Sequence, residues 1–187
     1  MINQNFIEHQ HTIAQVAENC SVSIAAVGDL MVNVLQKGGT IYWCGNGGSA
    51  ADSQHLAAEM VGRFKNVRRA LRSAALSTDT SVLTCVANDF SFEAIFARQI
   101  EAHGRPGDLL VGISTSGNSE NVLQAFSTAK LLGMYTVGLL GKDGGQAKSL
   151  VDHAIIIPSH STARIQEAHI LIGHCLCDLI EAGLGIN

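Results

Sequence analysis

Four side-chain hydroxyls fall within six consecutive positions, and they give this chain its clearest binding chemistry. They belong to Ser114, Thr115, Ser116 and Ser119, with Gly117 among them. An apolar run at 108–113 precedes them and a segment with helical apolar spacing at 121–132 follows, which predicts a turn between a buried strand and a helix. Such a turn offers unpaired backbone N–H groups and the positive end of a helix dipole. Because a cap needs only one hydroxyl, four of them favour a phosphate cradle over a plain helix cap.

A second set of polar residues has the types that suit a divalent metal. His55 and Glu59 are four residues apart on a predicted helix, so they share one face of it. Gln166 and His174 are eight residues apart on a predicted C-terminal helix, which places them about 80° around the axis and roughly 12 Å along it. They can meet only if both side chains lean toward a shared ligand. Imidazole and carboxylate ligands suit zinc, but this spacing alone does not identify a zinc site.

Plain structural roles remain open for the same residues. Glu59 stands four residues before Arg63, the spacing of an ion pair on a helix surface. His55 then becomes a solvated surface histidine, and His169 either packs in the core or contacts Glu167. The position of His55 and Glu59 close to the predicted phosphate site favours the functional interpretation.

Short apolar segments alternate with helical ones along the whole chain. Strands are predicted at 40–44, 72–76, 108–113, 134–140 and 153–157, and helices at 5–19, 22–37, 49–61, 79–87, 92–102, 121–132 and 163–181. This alternation predicts a single α/β domain, with a five-stranded parallel sheet flanked by helices on both faces. Residues 1–38 are predicted to form an N-terminal helical pair used in oligomer packing, and 39–187 to form the α/β core.

Ligands of open parallel sheets bind beyond the carboxyl ends of the strands. Three polar segments are predicted to converge at that edge: the glycine turn Gly45–Ser49, the loop Asn88–Phe90 and the hydroxyl loop Ser114–Ser119. Ser49 is the predicted cap of the helix that follows the glycine turn. This convergence indicates a binding site more strongly than any one segment does.

Composition narrows the class of protein. The 187 residues, 47% of them hydrophobic, suffice for one domain with a substantial core. A net charge of −4 gives no reason to expect nucleic acid or an anionic membrane as a partner. With no long apolar run and no basic leader segment, neither a bilayer span nor a signal peptide is expected. Five scattered cysteines are predicted to be small buried hydrophobes in the reducing cytoplasm.

Four segments of the chain resemble the sugar isomerase (SIS) domain family. They are Cys44–Asp52 with His55 and Glu59, Ala87–Phe90, Gly112–Ser119 and Ala163–Glu167. The resemblance covers nearly the whole chain and is specific to members that act on heptose phosphates. It implies a ketose–aldose isomerase that converts D-sedoheptulose 7-phosphate to D-glycero-D-manno-heptose 7-phosphate through an enediol. That reaction opens bacterial heptose biosynthesis for lipopolysaccharide core or related glycans. The resemblance also implies a homotetramer with sites at subunit boundaries.

Roles carry over from the family residue by residue. The implied metal ligands are His55, Glu59, Gln166 and His174, with one zinc ion per subunit. The implied substrate contacts are Asn46, Gly47, Gly48, Glu59, Asn88, Asp89, Ser114, Thr115, Ser116, Ser119 and Gln166. For the enediol chemistry, Glu59 is the natural base and His174 the natural acid or proton relay. Ligation weakens a carboxylate as a base, so the two roles of Glu59 compete.

Two alternatives stay open at this point. One is a non-catalytic tetrameric adaptor of the same family that binds the bacterial replication initiator, and whose sequence is similar to residues 174–180. That relative lacks the acid and the histidine at the places of Glu59 and His174, and has threonine where Gly48 stands. The other is an isomerase of a different sugar phosphate, although arabinose phosphate isomerases normally carry C-terminal repeats for which this length leaves no space. Some relatives carry an acid where this chain has Ala163, which receives no role.

Overall fold

Five short apolar segments form the sheet around which the chain folds. In the computed structural model, which describes residues 1–186, they are β1 (Ile41–Gly45), β2 (Ser73–Ala75), β3 (Leu109–Ser114), β4 (Tyr135–Gly141) and β5 (His153–Ile157). The strands lie in the order β2-β1-β3-β4-β5, and every neighbouring pair is parallel. The predicted five-stranded parallel sheet is confirmed.

Helices cover both faces of this sheet, as the alternating sequence pattern predicts. They are α1 (Ile2–Gln36), α2 (Gly48–Val61), α3 (Thr80–Asp89), α4 (Ala97–His103), α5 (Glu120–Leu131), α6 (Ala147–Leu150) and α7 (Thr162–Gly183), with a 3₁₀ turn at Phe92–Ala94. Helices α1, α2 and α7 pack on one face, and α3 to α6 pack on the other. Alternate residues of β1 divide between the two layers, since Ile41 and Trp43 face the first and Tyr42 and Cys44 the second.

The N-terminal helical pair was predicted wrongly, because residues 2–36 form one continuous helix of 35 residues. The predicted gap contains neither glycine nor proline. The side chains of Asn19 and Ser21 donate hydrogen bonds to the backbone carbonyls of Gln15 and Ala17, one turn earlier, so both residues are accommodated inside the helix. Helix α1 also packs against α7 and β5 of its own chain.

The burial of the cysteines was predicted correctly for three of the five. Cys20, Cys44 and Cys177 are buried, whereas Cys85 and Cys175 lie exposed on helix surfaces. All five are free thiols. Separately, no helix within residues 1–186 combines the length and the apolar character needed to cross a bilayer.

The strand order creates a crevice at the carboxyl edge of the sheet. The chain leaves β1 toward α2 on one face, whereas it leaves the adjacent β3 toward α5 on the other face. The two connections diverge from neighbouring strands, and ligands bind at such a switch point in open α/β sheets. This crevice therefore lies between the glycine turn and the hydroxyl loop.

Candidate functional site

The glycine turn after β1 brings the backbone of α2 close to the crevice. A Cβ atom at Gly45 would lie 2.7 Å from Ser49 Cβ and 2.9 Å from the Ile113 carbonyl oxygen, so only glycine fits. Gly47 adopts a φ of 56° and is the N-cap residue of α2. The prediction that Ser49 caps this helix was wrong, because the turn at Gly47 starts α2 earlier and leaves Ser49 buried inside it.

A pair of amides ties the glycine turn to the start of α5. Asn46 Nδ2 donates to Asn121 Oδ1 over 2.9 Å, and Asn121 Nδ2 donates to Asn46 Oδ1 over 2.8 Å. Asn121 is 2% exposed. Sequence reasoning missed this residue, although its polar side chain on the apolar face of the helix after the hydroxyl loop was a signal. The pair fixes the two walls of the crevice relative to each other.

The hydroxyl loop is held open by hydrogen bonds within itself. Ser114 Oγ accepts the Gly117 backbone N–H over 3.1 Å and shares a 3.1 Å hydrogen bond with Ser119 Oγ. Ser116 Oγ accepts the Asn118 backbone N–H over 3.2 Å, and both Thr115 and Ser116 are partly exposed. Ser119 is the N-cap residue of α5, but its side chain makes no capping bond within residues 1–186. Beyond its bond to Ser114 Oγ, this hydroxyl can form a further hydrogen bond to a ligand at the helix N-terminus.

The side chains of Asn88 and Asp89 make no hydrogen bond to the glycine turn or to the hydroxyl loop within residues 1–186. The predicted loop at 88–90 is wrong for its first two residues, which form the last turn of α3. Asn88 Nδ2 donates to Asp89 Oδ1 over 2.7 Å, and the Cys85 thiol donates to Asp89 Oδ2 over 3.5 Å. Both side chains are exposed. Their contact with substrate remains a prediction.

Helices α2 and α7 bring three metal-ligating side chains together. A ring nitrogen of His55, one of His174 and a carboxylate oxygen of Glu59 all lie within 4.8 Å of one another. We call these residues the three-residue cluster. His55 Nε2 lies 3.2 Å from Glu59 Oε1, and the two imidazole rings meet edge to face at 5.1 Å. Arg63 donates to the Lys65 carbonyl oxygen instead. The alternative of an ion pair between Glu59 and Arg63 was therefore wrong.

The three-residue cluster has ligand types that fit a divalent metal ion. His174 Nε2 is buried and has no hydrogen-bond partner within the described chain, which costs free energy unless a ligand satisfies it. Two imidazoles and one carboxylate, with a position left for substrate, are a recurrent catalytic zinc set. Asp52, one helical turn before His55, was not singled out from the sequence. Burial raises the pKa of its carboxyl group, and the nearby His55 and His174 act in the opposite direction.

Gln166 reaches the crevice from α7. A Cβ atom at Gly48 would lie 2.7 Å from Gln166 Nε2, so the absence of a side chain at Gly48 makes room for this amide. Ligation of metal by Gln166 remains a prediction. His169, between Gln166 and His174 on the same helix, packs in the core: its Nε2 lies 3.0 Å from the Leu140 carbonyl oxygen and donates to it. Burial lowers the pKa of His169 to about 4, so it stays neutral.

Comparison with known proteins agrees with this architecture. The family model described as SIS domain matches residues 5–141. The chain is 54% identical over 180 residues to phosphoheptose isomerase of Nitratiruptor sp., covering 96% of each chain. It is 53% identical over 183 residues to phosphoheptose isomerase of Campylobacter jejuni, covering 98% of each. The solved structure of phosphoheptose isomerase from Neisseria gonorrhoeae matches with a TM-score of 0.93 and 42% identity, covering 97% of each chain. The resemblance inferred from the sequence is confirmed, and the chain belongs to the SIS domain family, within its group of phosphoheptose isomerases.

Proposed function

We propose that this chain is a ketose–aldose isomerase that interconverts D-sedoheptulose 7-phosphate and D-glycero-D-manno-heptose 7-phosphate. The observation that carries the proposal is that one chain, 54% identical to a phosphoheptose isomerase, contains both the hydroxyl loop after β3 and the three-residue cluster of α2 and α7. The reaction is then the first step of bacterial heptose biosynthesis, toward lipopolysaccharide core or related glycans.

The phosphate of the sugar binds in the hydroxyl loop. The contacts are the hydroxyls of Ser114, Thr115, Ser116 and Ser119, together with backbone N–H groups at the start of α5. Hydrogen bonds that already hold Ser114 and Ser116 in place reduce the conformational entropy lost on binding. Sugar hydroxyls contact the glycine turn at Asn46, Gly47 and Gly48, and also Asn88, Asp89, Glu59 and Gln166.

Proton transfer uses the three-residue cluster. Glu59, as a carboxylate, removes a proton from C1 of the ketose while His174 protonates the oxygen on C2, which gives an enediol. Return of a proton to C2, with loss of the proton from the C1 oxygen, then gives the aldose. Glu59 is partly buried and lies beside His55, which limits competition from bulk water at its carboxylate.

A zinc ion would be held by His55, Glu59 and His174, with Gln166 as fourth ligand, one ion per subunit. The orphaned Nε2 of His174 supports this assignment. When bound, zinc polarises the carbonyl oxygen of the sugar. Ligation lowers the basicity of Glu59, so metal binding and proton abstraction compete at this residue.

The assembly that we propose is a homotetramer with sites at subunit boundaries, and with α1 between subunits. Large apolar side chains of α1 face solvent in the single chain, among them Ile2 at 72%, Phe6 at 64% and Val22 at 85% exposure, and such surface is typical of an interface. We expect light scattering to give a mass near four times 19.7 kDa. A reducing cytoplasm suits the five free thiols, and the net charge of −4 gives no support for a nucleic acid or membrane partner.

A panel of ketose phosphates with five, six and seven carbons tests the proposal. We expect the purified protein to form aldose from sedoheptulose 7-phosphate with a kcat/KM at least about tenfold above the others, by NMR. Preference for a shorter sugar would identify another sugar-phosphate isomerase, and no turnover of any sugar would favour the adaptor. Against the adaptor, this chain has Glu59 and His174, and a threonine at Gly48 would crowd Gln166.

A further inference from the structure

The loop that follows α2, residues 62–70, is fixed by one buried ion pair. Arg68 Nε lies 3.1 Å from Glu181 Oε1 of α7, and each side chain is 3% exposed. The Glu181 carboxylate also accepts the backbone N–H groups of Phe64, Lys65 and Asn66, over 3.3, 3.3 and 3.1 Å. A buried charge pair needs such additional hydrogen bonds to offset its desolvation. The loop is therefore held in one conformation by α7.

The same pair also holds the end of α2. Arg68 donates to the carbonyl oxygens of Glu59 and Met60, each over 2.7 Å. Glu59 belongs to the three-residue cluster, so the network connects the backbone of one cluster residue with the loop and with α7. None of these contacts involves a group that reacts.

The loop places an aromatic ring on His174. The rings of Phe64 and His174 stack with centroids 5.5 Å apart and an interplanar angle of 22°. His55 meets His174 edge to face at 5.1 Å, so the imidazole is confined between two rings. Lys65 lies over the Phe64 ring at 5.3 Å and pairs with Asp178, which adds to the wall of the site.

Histidines that bind metal are usually oriented by a hydrogen bond at the second ring nitrogen. Neither ring nitrogen of His174 is oriented by a hydrogen bond within residues 1–186, and the buried Nε2 is the atom left for the metal. Ring stacking restricts the same rotation and excludes water from one ring face, and it leaves the nitrogens available to a metal ion or a proton.

We propose that Phe64, held by Arg68 and Glu181, is a positioning residue for His174. It fixes the imidazole in the orientation that metal binding and proton transfer require. This inference rests on the proposed function of the three-residue cluster and adds a residue to it that does not touch the substrate.

Zinc affinity of the metal-free protein, measured by competition with a chromophoric chelator, tests the inference apart from activity. We expect Phe64→Leu to bind zinc about 10- to 100-fold more weakly, and Phe64→Tyr, which keeps the ring, to bind like wild type. Phe96→Leu is the matched control, because it removes a ring that is 1% exposed in the opposite core layer. Wild-type affinity in Phe64→Leu, or an equal loss in Phe96→Leu, would overturn the inference.

The mobility of the His174 ring, measured in the metal-free protein, tests the role of Phe64 independently of the proposed metal site. NMR relaxation of carbon-13-labelled histidine rings, assigned with His174→Gln, should show an ordered His174 ring in wild type and in Phe64→Tyr. We expect the ring to become mobile in Phe64→Leu. If zinc binds equally well to wild type and to His174→Gln, the proposed metal site is wrong, and the ring measurement alone then decides the role of Phe64. Unchanged order of the His174 ring in Phe64→Leu would overturn that role.

Discussion

The hydroxyl loop and the three-residue cluster are organised in opposite ways. The loop consists of consecutive residues between β3 and α5, and its polar groups bond to one another. The cluster joins α2 to α7, and Glu59 and His174 are separated by most of the chain. A contiguous site needs only its local backbone, whereas a site between helices needs the whole core to pack correctly.

The two regions also differ in how completely their polar groups are satisfied. Ser114 in the loop has two partners among its neighbours. His174 Nε2 in the cluster is buried without a partner in the described residues. The loop is therefore stable before a ligand arrives, whereas ligand binding should stabilise the cluster.

The largest expected effect is a loss of turnover without a loss of substrate binding. Glu59→Gln removes the proton acceptor with little change of shape, and we expect kcat to fall about a thousandfold, roughly 4 kcal/mol. Calorimetry should still detect binding of the sugar phosphate, because the substitution leaves the proposed phosphate site in the hydroxyl loop unchanged. Glu18→Gln, an exposed acid on α1, is the control and should retain wild-type turnover. More than about a tenth of wild-type rate in Glu59→Gln would show that Glu59 is not the base.

The pH dependence of protein stability tests whether His169, on the same helix as His174, is buried in its neutral form. Burial lowers the pKa of His169 from 6.5 to about 4. Below pH 6.5 His169 becomes protonated in the unfolded chain but stays neutral in the folded one. The free energy of unfolding therefore decreases as the pH falls from 6.5 to about 4, by up to about 3 kcal/mol. In His169→Gln, whose amide can still donate to the Leu140 carbonyl, chemical denaturation should show that pH dependence removed. An unchanged pH profile in the variant would contradict the buried, neutral state.

Zinc should stabilise the cluster and leave the loop unaffected. At a hundredfold excess over its Kd, zinc should raise the free energy of unfolding by about 2.7 kcal/mol, seen as a higher Tm. His174→Gln should lose most of this gain. Inorganic phosphate should raise the Tm of both proteins equally, because its proposed site is the hydroxyl loop. Equal stabilisation of both proteins by zinc would place the ion elsewhere.

The smallest effect concerns the loop hydroxyls. We expect Ser114→Ala and Ser119→Ala each to weaken substrate binding by about 1.5–3 kcal/mol, because each loses a charge-assisted hydrogen bond to phosphate. The change should appear in KM more than in kcat, since the phosphate is remote from the reacting carbons. Ser127→Ala, which removes an exposed hydroxyl of α5, should behave as wild type. Unchanged affinity in both loop variants would refute the phosphate cradle.

The difference between the two regions also explains what the sequence could predict. Local patterns predicted all five strands and the turn that contains the hydroxyl loop, because neighbouring residues determine buried strands and strand–helix turns. The continuous helix α1 was missed because residues 19–21 disfavour a helix only weakly, and tertiary contacts with α7 override such local preferences.

Contacts between distant elements were beyond sequence reasoning alone. Spacing placed His55 with Glu59, but only the packing of α7 on α2 adds His174 to them. The amide pair of Asn46 and Asn121 likewise depends on the strand order β1-β3, which no local pattern encodes. Family resemblance supplied the connection from α2 to α7 that periodicity could not.

Isomerisation in deuterium oxide tests the central claim most directly. The purified protein is incubated with sedoheptulose 7-phosphate, and NMR follows both aldose formation and deuterium at C2, before chelation, after it, and with zinc restored. We expect aldose that carries solvent deuterium at C2, because Glu59 exchanges its proton before returning it, and a rate that chelation depresses and zinc recovers. Absence of turnover by the folded protein under every metal condition would contradict the assignment of this chain as an isomerase.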